Sequence, residues 1–279
     1  MESANNMKTT DNRLEKSATW TFEEGIRIGW GSAEAHVPQH EPMYFLSASG
    51  RAGDNEAQLY EFRRSRAYLE HLASLGCTQV WFNWWKGCGI KHEAECMKQV
   101  AALFPVCREL KLRAICYVSF GSLTLDTLLL EEPDANDWIT KTQAGAWSSC
   151  QVTHQCFRCR PCFSSDGYLS YMEKMLGECL DAGADGIHFD NIGMQSEPDA
   201  CHCQRCTRKF REYLQQKYGG GLGQELFGMS DFTHATVPWF NQHNTANTLK
   251  QATVPLQRAW IDFKCKVYAD ATNRLVDFI

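Results

Sequence analysis

The segment Gly183-Ala184-Asp185-Gly186-Ile187-His188-Phe189 has the character of a buried strand and runs straight into the pair Asp190-Asn191. About ten residues later three thiols follow, spaced Cys201-x-Cys203-x-x-Cys206. A carboxylate placed where a buried strand emerges is partly desolvated yet held by its neighbours. That is a setting in which a nucleophile or general acid can be tuned. Asn191 can fix that carboxylate or hydrogen-bond a hydroxyl of a ligand. The competing reading is that Asp190 caps the next helix or binds loop amides; the Asp-Gly before the strand and the Asp-Asn after it favour chemistry. Three thiolates at the second spacing can converge on one zinc ion, whose tetrahedral shell wants a fourth ligand. The competing reading there is a reduced set without metal.

Other candidates crowd the same ends of the predicted strands. Trp81, Trp84 and Trp85, with Asn83 and Lys86, lie where the second strand runs out. Sugar rings stack their C–H faces on indole while polar neighbours read the hydroxyls, so Trp84, Trp85 and Lys86 make a candidate carbohydrate subsite. Strand residues alternate in facing, so at least one of these tryptophans is expected to fill core. Trp30 and Glu34 after the first strand, and Tyr117 and Ser119 on the third, are placed to line the mouth. Glu93 is a candidate second carboxylate, or a simple partner for a helix dipole. No Walker loop, dinucleotide glycine fingerprint, HExxH motif or serine nucleophile elbow occurs.

The bulk numbers set bounds. A chain of 279 residues, 44% hydrophobic and 22% charged, can form a large globular core. One α/β barrel domain of about 250 residues would fit. A net charge of −5 and a pI near 6.0 argue against a nucleic-acid partner. No run of about 18 apolar residues suggests a membrane span. Residues 1–23 are rich in Glu and Asn without an apolar core, so they are expected to form a disordered tail and not a secretory signal. Residues 24–279 are then the folded unit, with a cytoplasmic location expected. Fourteen cysteines are many for such a protein. Their clustering, Cys156, Cys159, Cys162 and Cys201, Cys203, Cys206, favours metal over disulfides. Cys77, Cys96, Cys107, Cys116, Cys179 and Cys265 fall at apolar positions and are expected to behave as small buried hydrophobes.

The elements that must position these groups alternate strand and helix. Residues 25–31 predict a first strand. Leu59, Phe62, Leu69, Leu72 and Leu75 predict one helix closed by Gly76. Thr78–Asn83 is a second strand, residues 93–110 a helix, and Leu112–Val118 a third strand. A long irregular stretch over 120–165 is of a length usually reserved for function. Tyr168 to Cys179 marks a helix and Ala184–Phe189 the fourth strand. Phe210 to Tyr218 continues as a helix stopped by Gly219-Gly220-Gly221, and Pro255 opens a last one through Leu275. Such alternation implies a parallel sheet with active residues at the strand carboxyl ends. Four strands are half of a (β/α)8 TIM barrel. The chain ends within an apolar helical face, so the expectation is a barrel truncated to its N-terminal half. A complete open sheet of four or five strands is the alternative.

Two family resemblances follow from these residues. The aspartate-asparagine strand end resembles α-galactosidase-type barrel enzymes, in which such an aspartate is the retaining nucleophile; this implies that role for Asp190. The stretch Cys201 to Cys206, continuing through Phe210, Leu214 and Lys217-Tyr218-Gly219, is similar to the zinc-containing β-galactosidases. In that family the remaining zinc ligand is a cysteine a few residues before a tyrosine that opens the preceding helix. Cys162-Phe163-Ser164-Ser165-Asp166-Gly167-Tyr168 matches that pattern. The resemblance therefore implies Cys162, Cys201, Cys203 and Cys206 around a structural Zn²⁺, while the spacing Cys156-x-x-Cys159-x-x-Cys162 leaves Cys156 and Cys159 as alternatives for the fourth place or as part of a second site. Where that family ends the strand in Asn-Glu, this chain has Asp190-Asn191.

Together these imply a glycoside-hydrolase-like protein acting on a glycoside or oligosaccharide through paired carboxylates. The second acid is expected on a later strand, so the chain alone is expected to be inactive. A non-catalytic carbohydrate-binding or zinc-stabilised scaffold is the alternative, and a thiol-based redox or metal-handling protein the third. Carbohydrate is the expected partner, with neither nucleic acid nor membrane; self-association into a homo-oligomer is compatible with the sequence.

Overall fold

A computed structural model describes residues 25–30, 54–149, 158–241 and 254–279; of residues 30, 54–57 and 60 it describes the backbone alone. The predicted tail, Glu34 and Cys156 lie outside the described residues. In chain order the elements are β1 (Ile28–Trp30), α1 (Asp54–Arg63), α2 (Arg66–Ser74), β2 (Gln79–Trp85), α3 (Ile90–Ala101), α4 (Phe104–Glu109) and β3 (Arg113–Ser119). A short strand β4 (Leu123–Thr124), α5 (Leu125–Glu131), a 3-10 turn (Pro133–Trp138) and β5 (Arg158–Cys159) follow. The remainder is α6 (Asp166–Asp181), β6 (Gly186–Asp190), α7 (Gln204–Tyr218), α8 (Gly221–Phe227) and α9 (Pro255–Phe278).

The strands β1, β2, β3 and β6 form a four-stranded parallel sheet in that spatial order. Each new strand is added beside the last, without the reversal of order that marks a doubly wound sheet. With the right-handed crossovers usual between parallel strands, such an order puts connecting helices on one face. The packing agrees. Val80, Phe82, Ala114, Cys116 and Val118 join Leu69, Leu72, Met97, Val100, Met172, Met175 and Leu176 in one buried cluster. Ile187 and Phe189 of β6 pack against the same cluster. By the two-residue period of a strand, the other face carries Trp81 and Asn83, Tyr117 and Ser119, and His188 and Asp190. Parallel α/β architecture was thus legible from the sequence. A second buried cluster gathers Phe210, Leu214, Phe232, Trp260 and Phe263 around Cys162, Cys201 and Cys206.

Several local expectations change. The helix expected to run through Leu59 and Leu75 is two, because the Ser65 hydroxyl accepts from Tyr68 N at 3.3 Å and caps a new start. The helix over 93–110 also divides, with Pro105 in the first turn of α4. The stop at Gly219-Gly220-Gly221 opens the short helix α8. Cys265 is exposed and Cys77 half-buried, whereas Cys96, Cys107, Cys116 and Cys179 are buried as expected. Among the described residues no helix is long and apolar enough to cross a membrane.

Candidate functional site

Asp190 is the last residue of β6, paired with Ser119 at the end of β3. Its backbone carbonyl accepts from Phe120 N at 2.9 Å, which anchors the strand end. The carboxylate Oδ2 receives two donors: the Tyr117 hydroxyl, in a short contact, and Asn191 Nδ2 at 3.1 Å. Among the described residues no hydrogen bond reaches Oδ1. Asn191 takes a left-handed backbone, φ 56°, which Asn tolerates better than most residues. That turn brings its side chain back over its own neighbour and within 3.5 Å of Ser119 Oγ.

Polar contacts continue from there. Ser119 Oγ and Ser122 Oγ are 2.8 Å apart, and buried Arg158 donates from Nη1 to Ser122 Oγ at 3.2 Å and to the Lys86 carbonyl at 2.8 Å. Lys86 extends its ammonium over the Tyr117 ring, 4.9 Å from the centroid. Beside Tyr117 lies His188, its imidazole stacked on Trp81 at 4.0 Å. Burial holds the His188 pKa below the ordinary value of 6.5, while the Asp190 carboxylate opposes that shift. Gly121 closes the floor: a Cβ there would meet the Asn191 carbonyl oxygen at 2.1 Å, so only glycine allows the two backbones to approach.

Of the residues expected to act, the structure brings Asp190, Asn191, Tyr117 and Lys86 together, with Ser119 beside them. Trp84 and Trp85 are a correction. They are 3% and 0% exposed, Trp84 stacking on Phe104 and Trp85 against Tyr171 behind the sheet. The cause is an irregularity in β2: pairing with β3 runs Asn83↔Tyr117 and then Trp85↔Val118. The extra residue is a bulge, and it turns Trp85 to the helix side along with Trp84. Of the three tryptophans of β2, Trp81 is the one that faces Asp190's side of the sheet. For Glu93, of the two readings offered, the structure favours the structural one, in the first turn of α3. The side chain is buried, and it accepts from Lys86 N at 2.6 Å and Cys88 N at 2.8 Å, so it ties down the β2–α3 loop. His188, Arg158 and Ser122 were not singled out from sequence. His188 carries a usable signal, since it sits two residues before Asp190 on one strand. Arg158 carries none, because its partners are 36 and 72 residues away.

The four expected cysteines also meet. Sγ atoms of Cys162, Cys201, Cys203 and Cys206 all lie within 4.8 Å of one another, a set able to hold a metal ion. Cys203 is the N-cap of α7 and Cys206 lies in its first turn, while Cys162 comes from the loop before α6. The 162–206 and 162–203 separations are 3.5 and 3.8 Å. A tetrahedron with metal–sulfur bonds of about 2.3 Å has edges of about 3.8 Å, so the donors present fit a tetrathiolate site. Hydrogen bonds from Cys162, Cys201 and Cys203, aided by Lys264, hold the Cys206 thiol well below the usual range. Those from Cys162 and Cys201 bring Cys203 down to about 7. Cys159, the alternative ligand, is elsewhere: it pairs with Leu123 across β4 and β5 and belongs to the main core.

No family model matches the chain, and no curated protein matches it. Solved structures do. One is α-L-fucosidase isoenzyme 2 from Paenibacillus thiaminolyticus, at 15% identity and TM-score 0.48, covering 91% of this chain and 30% of that one. Another is the noncanonic maltogenic α-amylase AmyB from Thermotoga neapolitana, at 14% and 0.41, covering 63% and 41%. TtGalA, an α-galactosidase from Thermus thermophilus, is similar at 15% and 0.40, covering 62% and 34%. All three are glycosidases by name. The chain spans between 30% and 41% of their length.

Proposed function

We propose that this chain carries the substrate-facing carboxylate of a glycoside-hydrolase-like α/β barrel, with Asp190 as nucleophile or as one of a carboxylate pair. The observation that carries the reading is the state of Asp190. It ends a parallel strand, and both neighbours bind one oxygen while the other stays available to a reacting carbon. Lys86 supplies a donor, Asn191 its amide oxygen as an acceptor, and the Trp81–His188 stack an aromatic surface for sugar hydroxyls and ring. Glycosidic cleavage by the usual route needs two carboxyl groups, about 5–5.5 Å apart for retention or 6.5–9.5 Å for inversion. Among the described residues Asp190 is the sole carboxylate that ends a strand of the main sheet.

That same observation favours a second reading, a carbohydrate-binding scaffold without turnover. A 2-fluoro glycoside with a good leaving group separates them. A retaining nucleophile forms a covalent adduct on Asp190, visible by mass spectrometry and lost in Asp190→Asn. Reversible binding that survives Asp190→Asn, with no adduct from any sugar of a broad panel, would leave the scaffold reading.

For the four cysteines we propose Zn²⁺ in a structural role. Four thiolates close the tetrahedral shell and leave no place for a catalytic water. The ion would join the loop before α6 to the start of α7. Cytoplasmic location and a carbohydrate partner belong to the same proposal.

A further inference from the structure

Lys264 is 4% exposed, on the same helix as Trp260 and Phe263 of the second buried cluster. It belongs to α9, more than fifty residues beyond the cysteines of α7. Its Nζ donates to the Cys201 carbonyl at 3.0 Å and to Cys206 Sγ at 3.5 Å, and lies 5.4 Å from the Trp260 ring. A buried ammonium is costly unless negative charge lies against it. The Cys201 carbonyl is a poor answer to that need, and the nearby Glu197 carboxylate, already engaged by Trp260 and His202, is a partial one. A divalent ion held by four thiolates, with net charge of about −2, is a good one.

One turn earlier on the same helix, Trp260 donates its indole N–H to Glu197, and the other oxygen of that carboxylate is 2.7 Å from His202 Nε2. Positions 260 and 264 share a helix face. α9 thus meets the segment 197–206 through three buried polar contacts, and one of them ends on a ligand sulfur.

We propose that Lys264 is the charge-balancing, positioning partner of the thiolate centre, so that loading the metal and docking α9 onto α7 are one linked event. This rests on the tetrathiolate reading above. Outer partners of metal ligands are worth about 10–100-fold in affinity when removed. The effect belongs to the charge, not to the hydrogen bond on the Cys201 carbonyl, because a neutral amide could make that bond equally well.

The test uses the whole chain with Co²⁺ and Zn²⁺ as probes, read by thiolate-to-cobalt charge-transfer absorption and by competition with a chromogenic chelator. Lys264→Gln keeps a donor and loses the charge; it should bind Zn²⁺ about 10–100-fold more weakly. Lys266→Met, an exposed change on the same helix, should bind as the wild type does. Equal affinity in Lys264→Gln and the wild type would overturn the proposal. Absence of a charge-transfer band in the wild type would instead overturn the metal reading beneath it. Should Lys264→Gln not fold, amide exchange of the wild type decides. Protection of residues 255–267 that rises on adding Zn²⁺ supports the linkage, and protection that ignores the metal refutes it.

Discussion

Glu93 gives the sharpest check on how the site is held. Its two carboxylate oxygens each accept one backbone N–H of the loop after β2, from Lys86 and from Cys88. Hydrogen bonds to a charged group contribute about 1.5–3 kcal/mol each. Cys88 is 1% exposed, so its N–H cannot turn to water when the carboxylate goes. Glu93→Ala should therefore cost about 3–5 kcal/mol, against which the relief of no longer burying a charge is a partial offset. Glu93→Gln is the finer probe. One amide oxygen can serve one donor, but the amide nitrogen then faces the other N–H, and about 2–3 kcal/mol should be lost. Urea denaturation of the three proteins, followed by circular dichroism, reads both numbers. If Glu93→Gln unfolds within about 0.5 kcal/mol of the wild type, the carboxylate does not hold the loop and the reasoning fails. A catalytic Glu93 predicts the opposite pattern: stability close to that of the wild type, with turnover lost in Glu93→Gln.

Other perturbations reach the same region from different sides. Gly121→Ala should destabilise by about 1–3 kcal/mol and loosen the Asp190–Asn191 end, because backbone meets backbone there; an unchanged urea midpoint would contradict the close approach. His188 has a pKa lowered by burial, so unfolding takes up a proton that the folded chain refuses. Its contribution to stability is therefore complete above the ordinary value of 6.5 and is lost as pH falls through the lower folded value. His188→Gln should flatten that limb of a stability-against-pH curve; a limb of unchanged slope would show that another group produces it. Stripping metal with a strong chelator should speed amide exchange in α7 and the first half of α9 before it touches β2 and β3. Uniform acceleration across the chain would argue against a local role for the thiolates.

Much of this was written in the sequence, and the exceptions have physical causes. Strand and helix periods located β2, β3 and β6 within a few residues and put Asp190 at the end of β6, although that strand, expected to be buried, is half-buried along its whole length. The thiol spacing located three members of the cluster, and family likeness located Cys162. Facing was harder. Strict alternation along Gln79–Trp85 puts Trp85 beside Trp81 and Asn83, yet one bulged residue reverses it, and a bulge leaves no residue signature here. Glu93 illustrates the same limit, since a carboxylate at a helix start looks alike whether it meets ligand or backbone. Lys264 was legible in hindsight: a lysine interrupts the apolar face made by Trp260, Phe263 and Val267, and such an interruption needs a buried partner.

The helix α9 touches two cores in succession. Trp260 and Phe263 belong to the cluster around the sulfurs, while Ala271 and Leu275 belong to the one behind the sheet. Arg274 clamps the far end to Glu173 of α6 at 2.7 Å. Lys264 and Leu275 are separated by about 16 Å of unbroken helix, at 1.5 Å per residue. One continuous helix therefore carries a contact with each compartment, its first half answering to the sulfurs and its second half to the core behind the sheet. Ala269→Pro, placed between them, should break that continuity and widen the difference in amide exchange between the two halves.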